Sequence, residues 1–308
     1  MHLSVSCDDG QNRRSLLMSA NEIEINLMTQ IDFIKMSGLG NDFIVIDLRR
    51  DLRQDLHQDE DIRAALTEEN VRHLAARDNP TTHGCDQLLT IEPPKQGGDV
   101  YMGIYNADGS QAEACGNGTR AVATYLGLAH SVIETCAGEL ACVLEPSGTV
   151  SVNMGLPRFE PSAIPVRDTL SNLSAVPLHA DLPEAFIVGM GNPHAVLFVD
   201  NPRAMAERYG AALEHHDFFP KRANINFARV EETAHLTLVT WERGAGLTPA
   251  CGSGACATAV AYDHLYGGTE GAAIRIDPPG GTLNIRVTSD GVWMNGPAVT
   301  EFTATARL

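Results

Sequence analysis

Lysine is scarce in this chain. Of its 308 residues only Lys35, Lys95 and Lys221 are lysine, none in a context that suits a pyridoxal phosphate Schiff base. No G-x-x-x-x-G-K-[ST] loop occurs, which excludes a phosphate-binding P-loop of that type. Gly-Leu-Gly-Asn at 38–41 is not a dinucleotide fingerprint, because position 43 is Phe. There is no C-x-x-C pair and no zinc-finger spacing of His and Cys, so a structural metal is not expected. No apolar run reaches the roughly 18 residues a bilayer span needs, and Leu16-Leu17-Met18 is too short for a signal core. Positive charge is also short: the formal net charge is −17, which argues against nucleic acid or an anionic membrane as partner.

The chain does have seven cysteines, at 7, 85, 115, 136, 142, 251 and 256. The odd count, without a secretory signal, points to free thiols in a reducing cytoplasm. Two of them head a repeated stretch. Ala114-Cys115-Gly116-Asn117-Gly118-Thr119-Arg120-Ala121-Val122-Ala123 aligns with Ala250-Cys251-Gly252-Ser253-Gly254-Ala255-Cys256-Ala257-Thr258-Ala259, with six of ten positions identical. In each copy a Cys-Gly-x-Gly turn runs into alanine-rich helix formers. Val122, Tyr125 and Leu126 share one helical face in the first; Ala257, Val260, Ala261 and Leu265 share one in the second. Each Cys is therefore expected at a helix N-terminus. Free N–H groups there favour anions and can draw a thiol pKa down towards neutrality.

The repeat extends beyond the turn. Strand, Gly-x-Gly-Asn (38–41 and 189–192), strand, helix, strands, Cys turn and helix occur twice in the same order. The helix of the first half is expected over 60–77, and that of the second around 202–213. This predicts an α+β fold of two pseudo-symmetric domains, each a mixed, mostly antiparallel sheet wrapped around a central helix. Expected boundaries are 31–157 plus 297–308 for the N-terminal domain and 158–296 for the C-terminal domain. The clustered Pro157, Pro161 and Pro165 mark the join. Residues 1–30 read as a disordered extension, or as sequence upstream of a later start at Met28.

A pseudo-twofold would set the two thiols across a cleft. Two acid/base groups on opposite faces of one carbon can invert it: one removes the α-proton and the other returns a proton. No cofactor is needed if the helix N-termini stabilise the charge on the α-carboxylate. Two other readings remain open at this point. The thiols could cycle as a redox disulfide, or the cleft could bind an amino acid without exchanging its proton.

The residues that carry this chemistry also carry a resemblance. Gly38-Leu39-Gly40-Asn41-Asp42-Phe43, Gly84-Cys85-Asp86-Gln87, Asn106-Ala107-Asp108-Gly109-Ser110, the first Cys turn, Gly191-Asn192-Pro193-His194, Asn224 before Phe227, and Glu242-Arg243-Gly244 running to the second Cys turn occur in one order. From about residue 32 to the C-terminus the chain resembles the diaminopimelate epimerase family. Proline racemase-like proteins share the Cys motifs but would not require the rest. The resemblance implies a cytoplasmic, cofactor-independent and metal-free homodimer acting on diaminopimelate, in lysine and peptidoglycan precursor synthesis. It implies Cys115 and Cys251 as the proton-transfer pair. Gly116, Asn117, Gly252 and Ser253 would hold the reacting carboxylate, with Asn41 and Gln87 lining that end. Asn106, Asn192, Asn224 and Arg243 would hold the distal carboxylate and Glu242 the distal ammonium, while His194 would assist thiol ionisation. Position 85, where a smaller residue is common, departs from the pattern.

From the residues alone, plainer roles stand beside these. Asn41 and Asn192 suit turns, Asn224 suits a strand cap, His194 a buried strand end, and Glu242-Arg243 a solvated pair. One asymmetry favours the functional reading. Nine residues before its cysteine, the first half has Asn106 and the second Glu242. A ligand with unlike ends requires such a difference.

Overall fold

The computed structural model describes residues 30–49, 58–112, 115–167 and 172–308. The extension expected at 1–30 lies outside them except for Gln30, which opens the first strand. Sixteen strands and five helices are described. The first half contains β1 (Gln30–Gly38), β2 (Asn41–Asp47), α1 (Gln58–Ala65), α2 (Glu68–Ala75), β3 (Gln87–Glu92), β4 (Val100–Asn106), α3 (Gly116–Leu126), β5 (His130–Thr135), β6 (Gly138–Leu144) and β7 (Val150–Asn153). The second contains β8 (Phe186–Gly189), β9 (Pro193–Phe198), α4 (Pro202–Glu214), β10 (Asn224–Glu232), β11 (His235–Glu242), β12 (Gly246–Leu247), α5 (Gly252–Tyr266), β13 (Ala273–Asp277), β14 (Leu283–Thr288) and β15 (Gly291–Gly296). The last strand is β16 (Val299–Arg307).

The duplication is complete at the level of pairing. In the first half β1–β2 is antiparallel, β2–β3 parallel, β3–β4 antiparallel, β4–β5 parallel, and β5–β6–β7 antiparallel. The second half repeats that series through β8, β9, β10, β11, β13, β14 and β15. β7 pairs with β15, which joins the two series into one continuous path, and β16 returns to pair with β1. This is the expected α+β architecture with its two related halves.

The central helices are buried on all sides rather than on one stripe. Asn117–Ala123 of α3 and Gly254–Tyr262 of α5 are buried without a break. Alanine, glycine and threonine at these positions let the strands approach closely from every direction, as all-round burial requires. The one-face expectation fails for Leu265, which is 47% exposed past the end of the sheet's wrap. Both helices stop at a left-handed glycine, Gly127 and Gly267, where a side chain would be strained.

The helix expected over 60–77 is two helices. Thr67 ends the first and caps the second, accepting from the Asn70 N–H, with Glu68 and Glu69 in the first turn. Val71 and Leu74 of α2 and Ile62 of α1 still reach one core with Phe33 and Ile46. Among the described residues no helix is long and apolar enough to cross a membrane.

Candidate active site

The two cysteine turns meet at the middle of the molecule. Cys115 N-caps α3 and Cys251 N-caps α5, both in extended backbone. Gly116 and Gly252, the first residues of the two helices, face the same side chain: a Cβ on Gly116 would lie 2.9 Å from Met294 Cε, and one on Gly252 would lie 3.0 Å from Met294 Sδ. The position of a Gly252 Cβ is also 3.7 Å from Asn117 Oδ1. Helix N-terminus thus abuts helix N-terminus, with β15 supplying the methionine between them. Both positive ends point into one region, which favours an anion there.

The thiols differ in their surroundings. Cys115 is partly exposed, and its Sγ accepts from the Gly118 N–H at 3.1 Å and from the Asn117 backbone N–H. Cys251 is buried, lies 3.6 Å from Ser253 Oγ and hydrogen-bonds the Glu242 carboxylate. Neither thiol is drawn towards neutrality, contrary to the expectation from the helix termini. Burial pushes Cys115 up to about 11 and Cys251 well above its ordinary value. Desolvation outweighs the N–H donors at both sulfurs. The negative charge of Glu242 adds to the rise at both sulfurs, so this one carboxylate faces the whole pair. Glu242 is itself raised by burial and accepts from Thr248 Oγ1 at 2.5 Å.

The predicted first-half residues fall into two hydrogen-bonded pairs, Asn41 with Asn117 and Gln87 with Asn106. Asn41 opens β2 beyond a two-residue turn in which Leu39 and Gly40 both have positive φ, 56° and 83°. Its Oδ1 accepts from Asn117 Nδ2 at 2.5 Å, and its Nδ2 donates to Asp86 at 3.2 Å. Gln87 and Asn106 are paired across β3 and β4, and Gln87 Nε2 donates to Asn106 Oδ1 at 3.1 Å. Asn106 Nδ2 donates to Ser110 Oγ.

The second-half residues cluster at the ends of β9, β10 and β11. Asn224 is paired with His194, donates to the Pro193 carbonyl at 3.3 Å and accepts from the Arg243 backbone N–H at 2.9 Å. The Arg243 side chain is exposed and makes no ion pair among the described residues. Asn192 Oδ1 lies 2.7 Å from His194 Nε2. No hydrogen bond among the described residues joins Asn106 to Asn192, Asn224 or Arg243.

His194 is fully buried and held neutral, its pKa lowered to about 3 by burial and then by the charge of Arg243. Its tautomer follows from its neighbours. Asn226 Nδ2 donates to the Ala195 carbonyl, and Thr240 Oγ1 donates to Asn226 Oδ1, so the carboxamide orientation is fixed. Asn226 Nδ2 therefore donates to His194 Nδ1, and Nε2–H donates to Asn192 Oδ1. Both ring nitrogens are occupied, and neither bonds a thiol. The geometry gives His194 a hold on Asn192, not the contact that thiol ionisation would need.

Asn226, Thr240, Thr248 and Met294 escaped the sequence reading, and Asp86 and Arg120 stood in the quoted motifs without a role. Asn226 could have been found, since a polar residue two positions after Asn224 on a strand shares its face. Met294 leaves no local signal; only the fold brings it to the two turns.

The family model described as diaminopimelate epimerase matches residues 33–160 and 186–301. A diaminopimelate epimerase of Rhodospirillum centenum is 44% identical over 278 residues, covering 88% of this chain and 90% of that relative. One from Gluconobacter oxydans is 42% identical, covering 89% and 98%. Among solved structures, a hydroxyproline epimerase from Agrobacterium vitis superposes with a TM-score of 0.60 at 14% identity, covering 91% of this chain and 93% of that one. A Bacillus anthracis phenazine biosynthesis protein of the PhzF family gives 0.59, also at 14%, covering 91% and 100%. These two show the shared fold. With matches of this length and identity across both cysteine turns, the chain belongs to the diaminopimelate epimerase family and is an isomerase of the epimerase type.

Proposed function

We propose that the chain interconverts LL- and meso-2,6-diaminopimelate by two-base proton transfer between Cys115 and Cys251, in lysine and peptidoglycan precursor synthesis. The observation that carries this reading is the abutment of the two cysteine-capped helices at Met294, with Glu242 facing both sulfurs.

The substrate's reacting carboxylate enters between the helix N-termini, held by the N–H groups of Gly116, Asn117, Gly252 and Ser253. Asn41 and Gln87 border that end. One sulfur, as thiolate, takes the α-proton. The carbanion is planar, and its charge spreads onto the carboxylate, where the two sets of N–H donors meet it. The opposite thiol then delivers a proton to the other face. The roles exchange for the reverse direction, and no cofactor or metal enters the cycle. The distal carboxylate goes to Arg243, Asn106, Asn192 and Asn224, the distal ammonium to Glu242. His194 supports Asn192 with its Nε2–H. The union of 31–157 with 297–308 as one domain is supported by the β16–β1 pairing, with 158–296 as the other. A cytoplasmic homodimer completes the reading.

Solvent deuterium is the test. In D2O the intact enzyme should place deuterium at the α-carbon of LL-diaminopimelate as it inverts it, and should leave L-proline untouched. Cys115→Ser and Cys251→Ser should each lower inversion at least about a hundredfold, the lower end expected of a positioned acid/base group. Full inversion in either variant overturns the proposal.

A further inference from the structure

Arg120 has the largest fully buried side chain among the described residues, with no exposed surface. It lies on α3 beneath the reacting end of the site. Two glycines make its space: a Cβ on Gly296 would lie 3.3 Å from Nε and 3.4 Å from Cζ, and one on Gly38 would lie 3.9 Å from Nη2. Its hydrogen bonds go to Asn117 Oδ1 at 2.8 Å, the Pro297 carbonyl at 3.4 Å and Met294 Sδ at 3.4 Å. No carboxylate pairs with it among the described residues. The titratable groups it faces are two thiols, Cys115 and Cys256. Cys256 occupies the position in the second turn that Arg120 occupies in the first, so the duplication itself sets this pair together. A buried cation without an anion is costly and calls for a compensating negative charge.

A guanidinium can only donate. Its contact with Asn117 therefore fixes which end of that carboxamide is oxygen. Asn117 Nδ2 must then donate to Asn41 Oδ1, and Asn41 Nδ2 to Asp86, which Arg77 holds from outside at 2.5 Å. Both asparagines are left with N–H, not C=O, to offer a ligand.

We propose that Arg120 is the positioning residue of the reacting end: it orients Asn117 and Asn41 as donors to the carboxylate, and its fixed charge favours the thiolate of Cys115 over that of Cys251. This rests on the two-thiol reading above. Cys115 faces Arg120, Glu242 and the N–H groups of Gly118 and Asn117, whereas Cys251 faces Glu242, Ser253 and the Gly254 N–H. Opposed to Glu242, the guanidinium acts on one sulfur of the pair; it favours the Cys115 thiolate against the larger effect of burial, which holds that thiol up.

The test is iodoacetamide alkylation against pH without substrate, read for each thiol by peptide mass spectrometry. In the unaltered protein Cys115 should titrate below Cys251. In Arg120→Gln, which keeps a donor but not the charge, the Cys115 titration should rise by about one unit or more, with Cys251 moving far less. Arg120→Lys should restore most of the difference. With substrate, Arg120→Gln should lower kcat more than it raises KM. An unshifted Cys115 in a folded Arg120→Gln protein overturns the proposal, as does an equal shift of both thiols. Should both variants fail to fold, a Cys251 that titrates at or below Cys115 in the unaltered protein overturns it equally. Alkylation does not depend on turnover, so failure of the deuterium test would leave this result readable on its own.

Discussion

Glu242 is one carboxylate with two opposed effects. It supplies the anion proposed for the distal ammonium, yet it raises both sulfurs and hydrogen-bonds one of them. Glu242→Gln should therefore separate reactivity from turnover. Both thiols should alkylate several-fold faster at pH 8, Cys251 most, because each thiolate loses a repulsive neighbour. Diaminopimelate inversion should nevertheless fall. Slower alkylation would show that the carboxylate instead acts as a base on the thiols. This residue illustrates what a sequence discloses. The Glu-Arg pair nine residues before a cysteine turn announces an asymmetric site. That the same carboxylate would face Cys115, far off along the chain, depends on how two halves meet. The thiol environment was illegible for a related reason: a helix terminus is visible in a Cys-Gly-x-Gly turn, but the desolvation that outweighs it is not. Arg120 was in plain view in the motif. Nothing local says that a charged residue at this position has no solvent.

At the scale of elements, the hairpin turn between β1 and β2 joins the halves. Gly40 has φ 83°, and a Cβ there would lie 2.7 Å from Pro249 Cβ, two residues before Cys251. Gly280 closes on the same turn: its Cβ position is 2.1 Å from the Leu39 carbonyl oxygen. Gly40→Ala forces a left-handed alanine, costing about 1–2 kcal/mol, and pushes Pro249 away. Urea unfolding should show at least that loss, and the folded fraction should turn over more slowly, because the displaced segment leads into α5. Unchanged kcat with lowered stability would confine the turn to a scaffolding role. Strands with β-branched runs, such as Phe43–Asp47 and Leu236–Trp241, were readable from composition. So were α4 and the two cysteine helices. The break at Thr67 was not, because the apolar spacing of Ile62, Leu66, Val71 and Leu74 continues through it. The cap wins locally, while both short helices still serve one core.

For the whole molecule, His194 links the site to stability. Its folded pKa of about 3 lies below the ordinary 6.5, so the unfolded chain binds a proton that the folded one refuses. Stability therefore falls as pH drops through this window, by roughly 1.4 kcal/mol per unit from this group. His194→Gln removes that term. The variant should be less stable at pH 7, having lost a buried hydrogen-bond partner, but its deficit against the unaltered protein should shrink by about 2 kcal/mol at pH 5. A deficit that stays constant between the two pH values would mean the imidazole takes up its proton in the fold as readily as in the unfolded chain.

The β7–β15 seam makes a single ribbon of the two halves. Motion of one helix mouth relative to the other cannot resemble a door on a flexible strap, because ladder hydrogen bonds cross the joint. It must be a twist shared along Val150–Asn153 and Trp293–Gly296, and Met294, the residue wedged between Gly116 and Gly252, rides on that strip. Any torsion of the ribbon is thereby geared directly to the gap between the sulfurs.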